Sequence, residues 1–317
     1  MDTKTLPLVT IAIPTYNRAE GYLRHAIECA LAQTYRNLEI VISDNCSSDN
    51  TRELVNGYVD PRIRYYRHKV NIGANNNFNF CLEKAEGDYF LLLHDDDAID
   101  PDFTDICMRS AQYRTDIGVI RTGARVIDGS GETISECRNQ AAGALLGDVF
   151  LCWFSSKTPI YLCNTLFNSA GLREAGGFHS RTNLYQDVVA GFRVAAGHGR
   201  IDVPDVKASF RRHLCNRGAA ADVIDWCEDS LYLLEVMCDL APSNKDLIRQ
   251  RGMVYFCRKN YRLTASLRSP LARIAAYLMV YRKFEYSYSP LRFIFSRRGS
   301  RFKRFLKMTL KQAESGV

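Results

Sequence analysis

His94-Asp95-Asp96-Asp97 sets three carboxylates and an imidazole side by side at the end of the apolar run Tyr89 to Leu93. Carboxylates crowded in this way repel one another unless a proton or a cation offsets their charge. A hard divalent cation with oxygen ligands, Mg2+ or Mn2+, meets that need. A solvated acidic turn capping the helix that starts near Asp102 would carry the same residues, so the motif does not decide alone. Asp44 adds to it by closing a second apolar run, Leu38 to Ser43. A carboxylate there can accept an N–H from a nucleobase edge while a metal neutralises a diphosphate.

Such residues need a scaffold that brings strand ends together, and the apolar spacing provides one. Leu8 to Ile13 reads as a buried strand ending at Pro14, and Leu23, Ala26, Ile27, Ala30 and Leu31 repeat as one helical stripe. Strand and helix then alternate: Leu38 to Ser43, Thr51 to Tyr58, Ile63 to Arg67, Asn76 to Ala85, Tyr89 to Leu93. This predicts an α/β fold, a mostly parallel sheet flanked by helices, with ligands bound beyond the carboxyl ends of the strands. Pro14 to Arg18, Asp44 to Ser48 and His94 to Asp97 all fall on that edge. Further on, Ile117 to Ile127 and Asp128 to Gly131 read as strand and hairpin turn. Leu145 to Phe154 reads as helix, Gly171 to Phe178 as a glycine-punctuated turn, Gln186 to Ala196 as helix and Val206 to Arg212 as strand. From Ala221 the spacing is helical, with breaks at Pro242, Pro270 and Pro290.

Composition narrows the class. With 317 residues and 46% apolar content the chain is long enough for a large core and a smaller annex. Eleven cysteines without a C-x-x-C pair argue against a disulfide framework or a zinc ribbon and for a reducing cytosol. No apolar stretch approaches a membrane span, and no targeting segment is visible. Neither G-x-G-x-x-G nor a P-loop occurs, which removes the main support for a dinucleotide oxidoreductase or a P-loop ATPase.

Thr10-Ile-Ala-Ile-Pro-Thr-Tyr-Asn-Arg18, Leu38-Glu-Ile-Val-Ile-Ser-Asp-Asn45 with Ser47, Ser48 and Thr51, Asn71-Ile-Gly73, and Gly87-Asp-Tyr-Phe-Leu-Leu-Leu-His-Asp-Asp-Asp97 with Pro101 stand in one order. Together they resemble the family 2 glycosyltransferases of GT-A fold. Gly176-Gly177-Phe178 followed by Gln186-Asp187 is similar to that family's later Gly-Gly-Phe and Glu-Asp segment. The resemblance implies an inverting, metal-dependent transfer of sugar from a nucleotide diphosphate donor. On it, Pro14, Thr15, Tyr16, Asn17 and Arg18 line the nucleotide-sugar pocket with Asn71 and Gly73. Asp44 reads the base, His94 or Asp95 approaches the ribose, Asp96 binds the metal and Asp187 is the catalytic base. His213 resembles a late histidine that some members place near metal or diphosphate, although a lone histidine after a strand is more often structural. This chain departs from the pattern in two places, with His94 where many members open the D-x-D motif with Asp, and Gln186 where Glu usually precedes the base.

The expected division is a GT-A domain over residues 1–220 and a helical, basic region over 221–317. Residues 251–317 hold sixteen Lys or Arg against two acids, although the whole chain carries only +7. Residues 291–311 interleave bases with phenylalanine and leucine, which suits an anionic membrane surface first, docking on the acidic body second, and nucleic acid least. The expected protein is cytoplasmic, peripheral on the inner face of the membrane. UDP-sugar is the favoured donor, with dTDP and GDP donors open, and the acceptor is a hydroxyl of a glycan or lipid-linked glycan in surface polysaccharide assembly. A sugar-nucleotide nucleotidyltransferase would also use carboxylates and metal, but Pro14 to Arg18 is not the basic, glycine-rich loop such an enzyme needs. A non-catalytic nucleotide-binding module is the third reading.

Overall fold

The computed structural model describes residues 6–212, 221–267 and 269–296. Strands β1 (Val9–Thr15), β2 (Leu38–Asp44), β3 (Ile63–Arg67) and β4 (Tyr89–Leu92) alternate with helices α1 (Leu23–Leu31), α2 (Thr51–Asn56) and α3 (Ala74–Lys84). Every residue of β1 and β2 is buried. That is the burial expected of strands covered on both faces, and it explains why they read as continuous apolar runs. On α1, Leu23, Ala26, Ile27 and Ala30 are the buried residues, the stripe read from the spacing.

The second half adds β5 (Ala98–Ile99), α4 (Phe103–Ser110), β6 (Val119–Ile127), β7 (Thr133–Cys137), α5 (Leu146–Phe154), β8 (Thr165–Asn168), α6 (Ser169–Glu174), α7 (Gln186–His198) and β9 (Arg200–Arg211). Strand order across the sheet is β3-β2-β1-β4-β8-β6-β9-β5, with β7 paired to β6. The four N-terminal strands are parallel, and β8 joins them antiparallel to β4. Thr15 pairs with Asp44, and Asp44 with Arg67, so three strands end level on the carboxyl edge. Antiparallel β5 pairs Ala98 with Ser209, which brings the end of β9 up to the chain just after Asp97.

Three details differ from the sequence expectation. Strand β8 has only four residues, all buried, too short to show a period. Residues 169–174 are helical ahead of the Gly-Gly-Phe turn. Strand β9 starts at Arg200 rather than Val206, and Pro204, which cannot donate to a ladder, falls where its register with β6 shifts between Arg121 and Gly123.

Helices α8 (Val223–Leu240), α9 (Lys245–Thr264) and α10 (Pro270–Lys283) complete the described chain, with a further helical stretch at 290–296. They do not stand apart from the sheet domain. Phe150 and Trp153 of α5 and Val188, Val189 and Phe192 of α7 share one apolar core with Leu233, Met237, Phe256, Tyr261 and Phe293. None of the ten described cysteines is disulfide-bonded, and no described helix is long and apolar enough to cross a membrane.

Candidate functional site

The carboxyl edge of the parallel strands carries two interlocked loops. Asn17 takes a left-handed backbone conformation (φ 54°) that asparagine tolerates better than most residues. There its N–H donates to Ser47 Oγ at 2.9 Å and its Oδ1 accepts the Ser48 N–H at 2.8 Å. Asp44 is fully buried. Its Oδ1 accepts the Ser47 N–H at 2.7 Å, and its Oδ2 accepts the Tyr65 hydroxyl at 2.7 Å with Arg67 Nε 3.4 Å away. Asp44 therefore anchors its own loop. Asn45 extends the network, donating to Asn71 Oδ1 at 2.9 Å and accepting from Ile72 at 2.8 Å. Gly73 follows at φ 82°, a conformation that suits glycine at the start of α3. Pro14 is buried within the sheet opposite Ser43, and Tyr16 is 47% exposed at the rim.

Beyond β4 the four residues His94 to Asp97 separate by direction. Asp95 turns to the β1 loop, where Thr15 Oγ1 donates to it at 2.8 Å and Arg18 Nε lies 3.9 Å away. Burial, with the Asp96 charge next to it, pushes the Asp95 carboxyl up to about 7. His94, Asp96 and Asp97 form the other group, each offering a ligand atom within 4.8 Å of the others. Asp97 is held by the Arg211 N–H at 2.8 Å, and burial followed by the Asp96 charge raises it well above the usual carboxylate range. Arg211 reaches back through Nε to the Asp96 carbonyl at 2.8 Å. The end of β9 thus fixes the backbone of the acidic turn.

This donor set fits a divalent ion. Two buried carboxylates sharing one space is the arrangement a cation relieves, and oxygen donors suit Mg2+ or Mn2+. The imidazole adds a nitrogen donor, more congenial to Mn2+ than to Mg2+. His213 lies outside the described residues.

Asp187 sits in the first turn of α7, half-buried. Burial raises its carboxyl above the usual range, while His94 and, further down, Lys259 pull it back. Asp187 is therefore within electrostatic reach of the end of β4, more than ninety residues away in sequence. Two anchors place it. Asn79 of α3 accepts the Phe178 N–H at 2.8 Å and, with Asn75, donates to the Phe178 carbonyl. Gly177 (φ 72°) precedes it, and a Cβ there would run into Asn79 Oδ1. The second anchor is Asp229 of α8, which is fully buried. It accepts the Ser180 hydroxyl at 2.7 Å and the N–H groups of Thr182, Leu184 and Tyr185 at 3.0, 2.8 and 2.6 Å.

The structure brings together Thr15, Arg18 and Asp95, then Asn17 with the Asp44 loop, then Asn71 and Gly73 through Asn45, and finally His94 and Asp96, with Asp97 beside them; Asp187 joins them only through the electrostatic influence of His94. Sequence reasoning did not single out Asp97, Arg211, Asp229 or Lys259. The only trace of Asp97 was its membership of the triple aspartate. Lys259 stands with its ammonium 4.6 Å from the Tyr185 ring centroid and 5.5 Å from that of Trp153.

Solved structures share this architecture. The chain superposes on S. aureus TarS 1-349 in complex with UDP-GlcNAc with a TM-score of 0.60 at 14% identity, covering 88% of this chain and 91% of that one. It superposes on the mannosyltransferase PcManGT from Pyrobaculum calidifontis, in complex with GDP-Man and Mn2+, with a TM-score of 0.55 at 18% identity, covering 98% and 85%. The fold is that of the GT-A class.

The model of Glycosyl transferase family 2 matches residues 10–152, and that segment is a family 2 glycosyltransferase segment. An uncharacterized glycosyltransferase of Rickettsia felis is 45% identical over 97 residues, 30% of this chain and 16% of that protein. A chondroitin synthase of Escherichia coli is 35% identical over 138 residues, 43% of this chain and 20% of that protein. The chain thus spans a fifth or less of the length of these two relatives.

Proposed function

We propose that this chain is an inverting glycosyltransferase that moves one sugar from a nucleotide diphosphate donor, UDP-sugar favoured over dTDP- or GDP-sugar, to a hydroxyl. The acceptor in this reading is a glycan or lipid-linked glycan of surface polysaccharide assembly. The observation that carries it is the cluster of His94, Asp96 and Asp97 at the end of β4, their ligand atoms within 4.8 Å of one another. It lies on the edge where a GT-A fold receives its donor, and in this reading Asp187, in the first turn of α7, is the base. Inversion requires a base on the side of the sugar opposite the departing diphosphate, and this arrangement separates those two tasks.

Asp187 takes the proton of the acceptor hydroxyl in this scheme. Thr15 and Arg18 hold Asp95 beside the ribose, and the loops joined by Asn17, Ser47 and Asp44 enclose the base. A Mg2+ or Mn2+ ion held by Asp96, with His94 and Asp97 beside it, would supply positive charge against the diphosphate. TarS and PcManGT, the neighbours in fold, were solved with UDP-GlcNAc and with GDP-Man and Mn2+, which supports a nucleotide-sugar donor and a divalent ion. Residues 1–220 form the transferase unit in this reading. Residues 221–317 support it from α8 and α9; of the segment 291–311 expected on an anionic membrane, Phe293 is instead buried against the body, and the part after Ser296 rests on the cytoplasmic face in this reading.

Calorimetry of UDP with Mn2+ or with EDTA, on wild type and Asp96→Ala, tests the proposal. UDP is expected to bind wild type tightly only with the ion, and the variant is expected to lose that difference. Equal affinity under all four conditions would remove the metal assignment.

A further inference from the structure

A groove of about 780 Å³ opens between α5 and α9, lined by none of the donor-site residues. Phe154, Leu247 and Val254 give it an apolar wall, and Arg251, Arg258 and Arg262 of α9 stand beside them. Spacings of seven and four residues keep these arginines on one stripe of the helix. All three are exposed, and among the described residues none has a carboxylate within ion-pair distance. Arg258 is steadied by the Tyr288 ring, 5.4 Å away. Like charges four residues apart weaken a helix, so the array is a cost to α9 that a bound anion would offset.

The inner end of the groove meets the aromatic cluster around Lys259. Tyr255 lines it and packs on Trp153 at 5.3 Å between ring centroids, and Trp153 shares the Lys259 cation with Tyr185. Lys259 and Asp187 act on each other electrostatically. One aromatic layer, Tyr255 and Trp153, separates the arginine stripe from the Lys259 ammonium.

We propose that this groove binds an amphiphilic acceptor, a phosphate or diphosphate on an apolar chain, with the anion on Arg251, Arg258 and Arg262 and the chain along Phe154, Leu247 and Val254. Charge complementarity selects the anion and the aliphatic wall selects the chain. A neutral sugar alone would meet only Gln250, Ser155, Ser156 and Tyr255 as uncharged polar side chains. That the ligand is an acceptor rests on the glycosyltransferase reading; that it binds does not.

Geranyl phosphate, geraniol and inorganic phosphate, each below its aggregation limit, are the probes. Wild type and the triple variant Arg251→Gln, Arg258→Gln, Arg262→Gln are titrated with each, and with UDP and Mn2+. The three arginines are exposed, so the variant is expected to melt with wild type. Geranyl phosphate should bind wild type roughly tenfold or more tighter than either partial probe, and the variant should lose about that factor. Leu247→Glu should weaken geranyl phosphate and leave inorganic phosphate unchanged. Equal binding of geranyl phosphate by wild type and the triple variant overturns the proposal, as does inorganic phosphate binding as tightly as geranyl phosphate. Wild type that binds geranyl phosphate but not UDP would instead overturn the transferase reading and leave the groove standing.

Discussion

The N–H of Tyr185 donates to the buried carboxylate of Asp229 at 2.6 Å, two residues before Asp187. A side chain from α8 therefore sets the start of α7 and with it the position of the proposed base. The helical region is part of the site's construction, which an apolar core common to α5, α7, α8 and α9 reinforces.

Asp229→Asn keeps the shape and removes acceptor capacity, since an amide nitrogen cannot accept from the N–H groups that Asp229 holds. Leaving buried donors unmatched costs on the order of 1–3 kcal/mol. The expected result is a melting temperature lower by a few degrees. Transfer should fall roughly tenfold or more with UDP affinity nearly unchanged, because the donor loops lie elsewhere. A variant with wild-type kcat would make Asp229 a purely structural residue.

The pH profile follows from the direction of the Asp187 shift. Burial raises its carboxyl, so the base is protonated, and transfer fails, at a pH where an ordinary aspartate would still be ionised. Lys259 opposes that shift. Lys259→Met should therefore move the acidic limb of kcat/KM to higher pH and leave UDP binding as it was. A limb that stays in place, or moves to lower pH, would count against electrostatic contact between the two.

Phe293 is buried against Tyr261 and Tyr277, with ring centroids at 5.2 and 6.2 Å, so residues around it dock on the body. Leu291 and Phe295 are each 65% exposed. Residues 297–317 lie outside the described residues. Phe293→Ala should cost about 3–5 kcal/mol of stability. Removal of 297–317 should leave the melting curve in place and reduce co-sedimentation with anionic liposomes, most clearly at low salt. Full-length protein that ignores anionic vesicles at low salt would end the membrane reading.

How much the sequence revealed follows from what each residue's neighbours are. Strands β1, β2 and β4 were legible because burial on both faces demands unbroken apolar runs; β3, only partly buried, followed from its place in the alternation with helices, and so did the sheet edge. The triple aspartate was legible as a unit, but the division of labour within it was not. Asp95 turns toward Thr15 while Asp97 turns toward Arg211, and the second depends on the pairing of β5 with β9. Asp229 and Lys259 were invisible for a different reason. A single acid or base in an amphipathic helix looks like a solvated face, and its burial depends on α8 and α9 packing against α5 and α7. Pro204 concealed the first half of β9, since the proline sits at a register shift that a local pattern cannot anticipate.

The central claim is that Asp187 serves as the base at a donor site built on the end of β4, and Asp187→Asn tests it most directly. The measurement is UDP-sugar turnover with Mn2+ beside UDP calorimetry on the same preparations, using whichever sugar nucleotide the wild type hydrolyses fastest. The account predicts UDP affinity close to wild type and transfer reduced by a factor on the order of 10² to 10⁴, the usual worth of a positioned base. Turnover near the wild-type rate in Asp187→Asn, with UDP still bound, would contradict it.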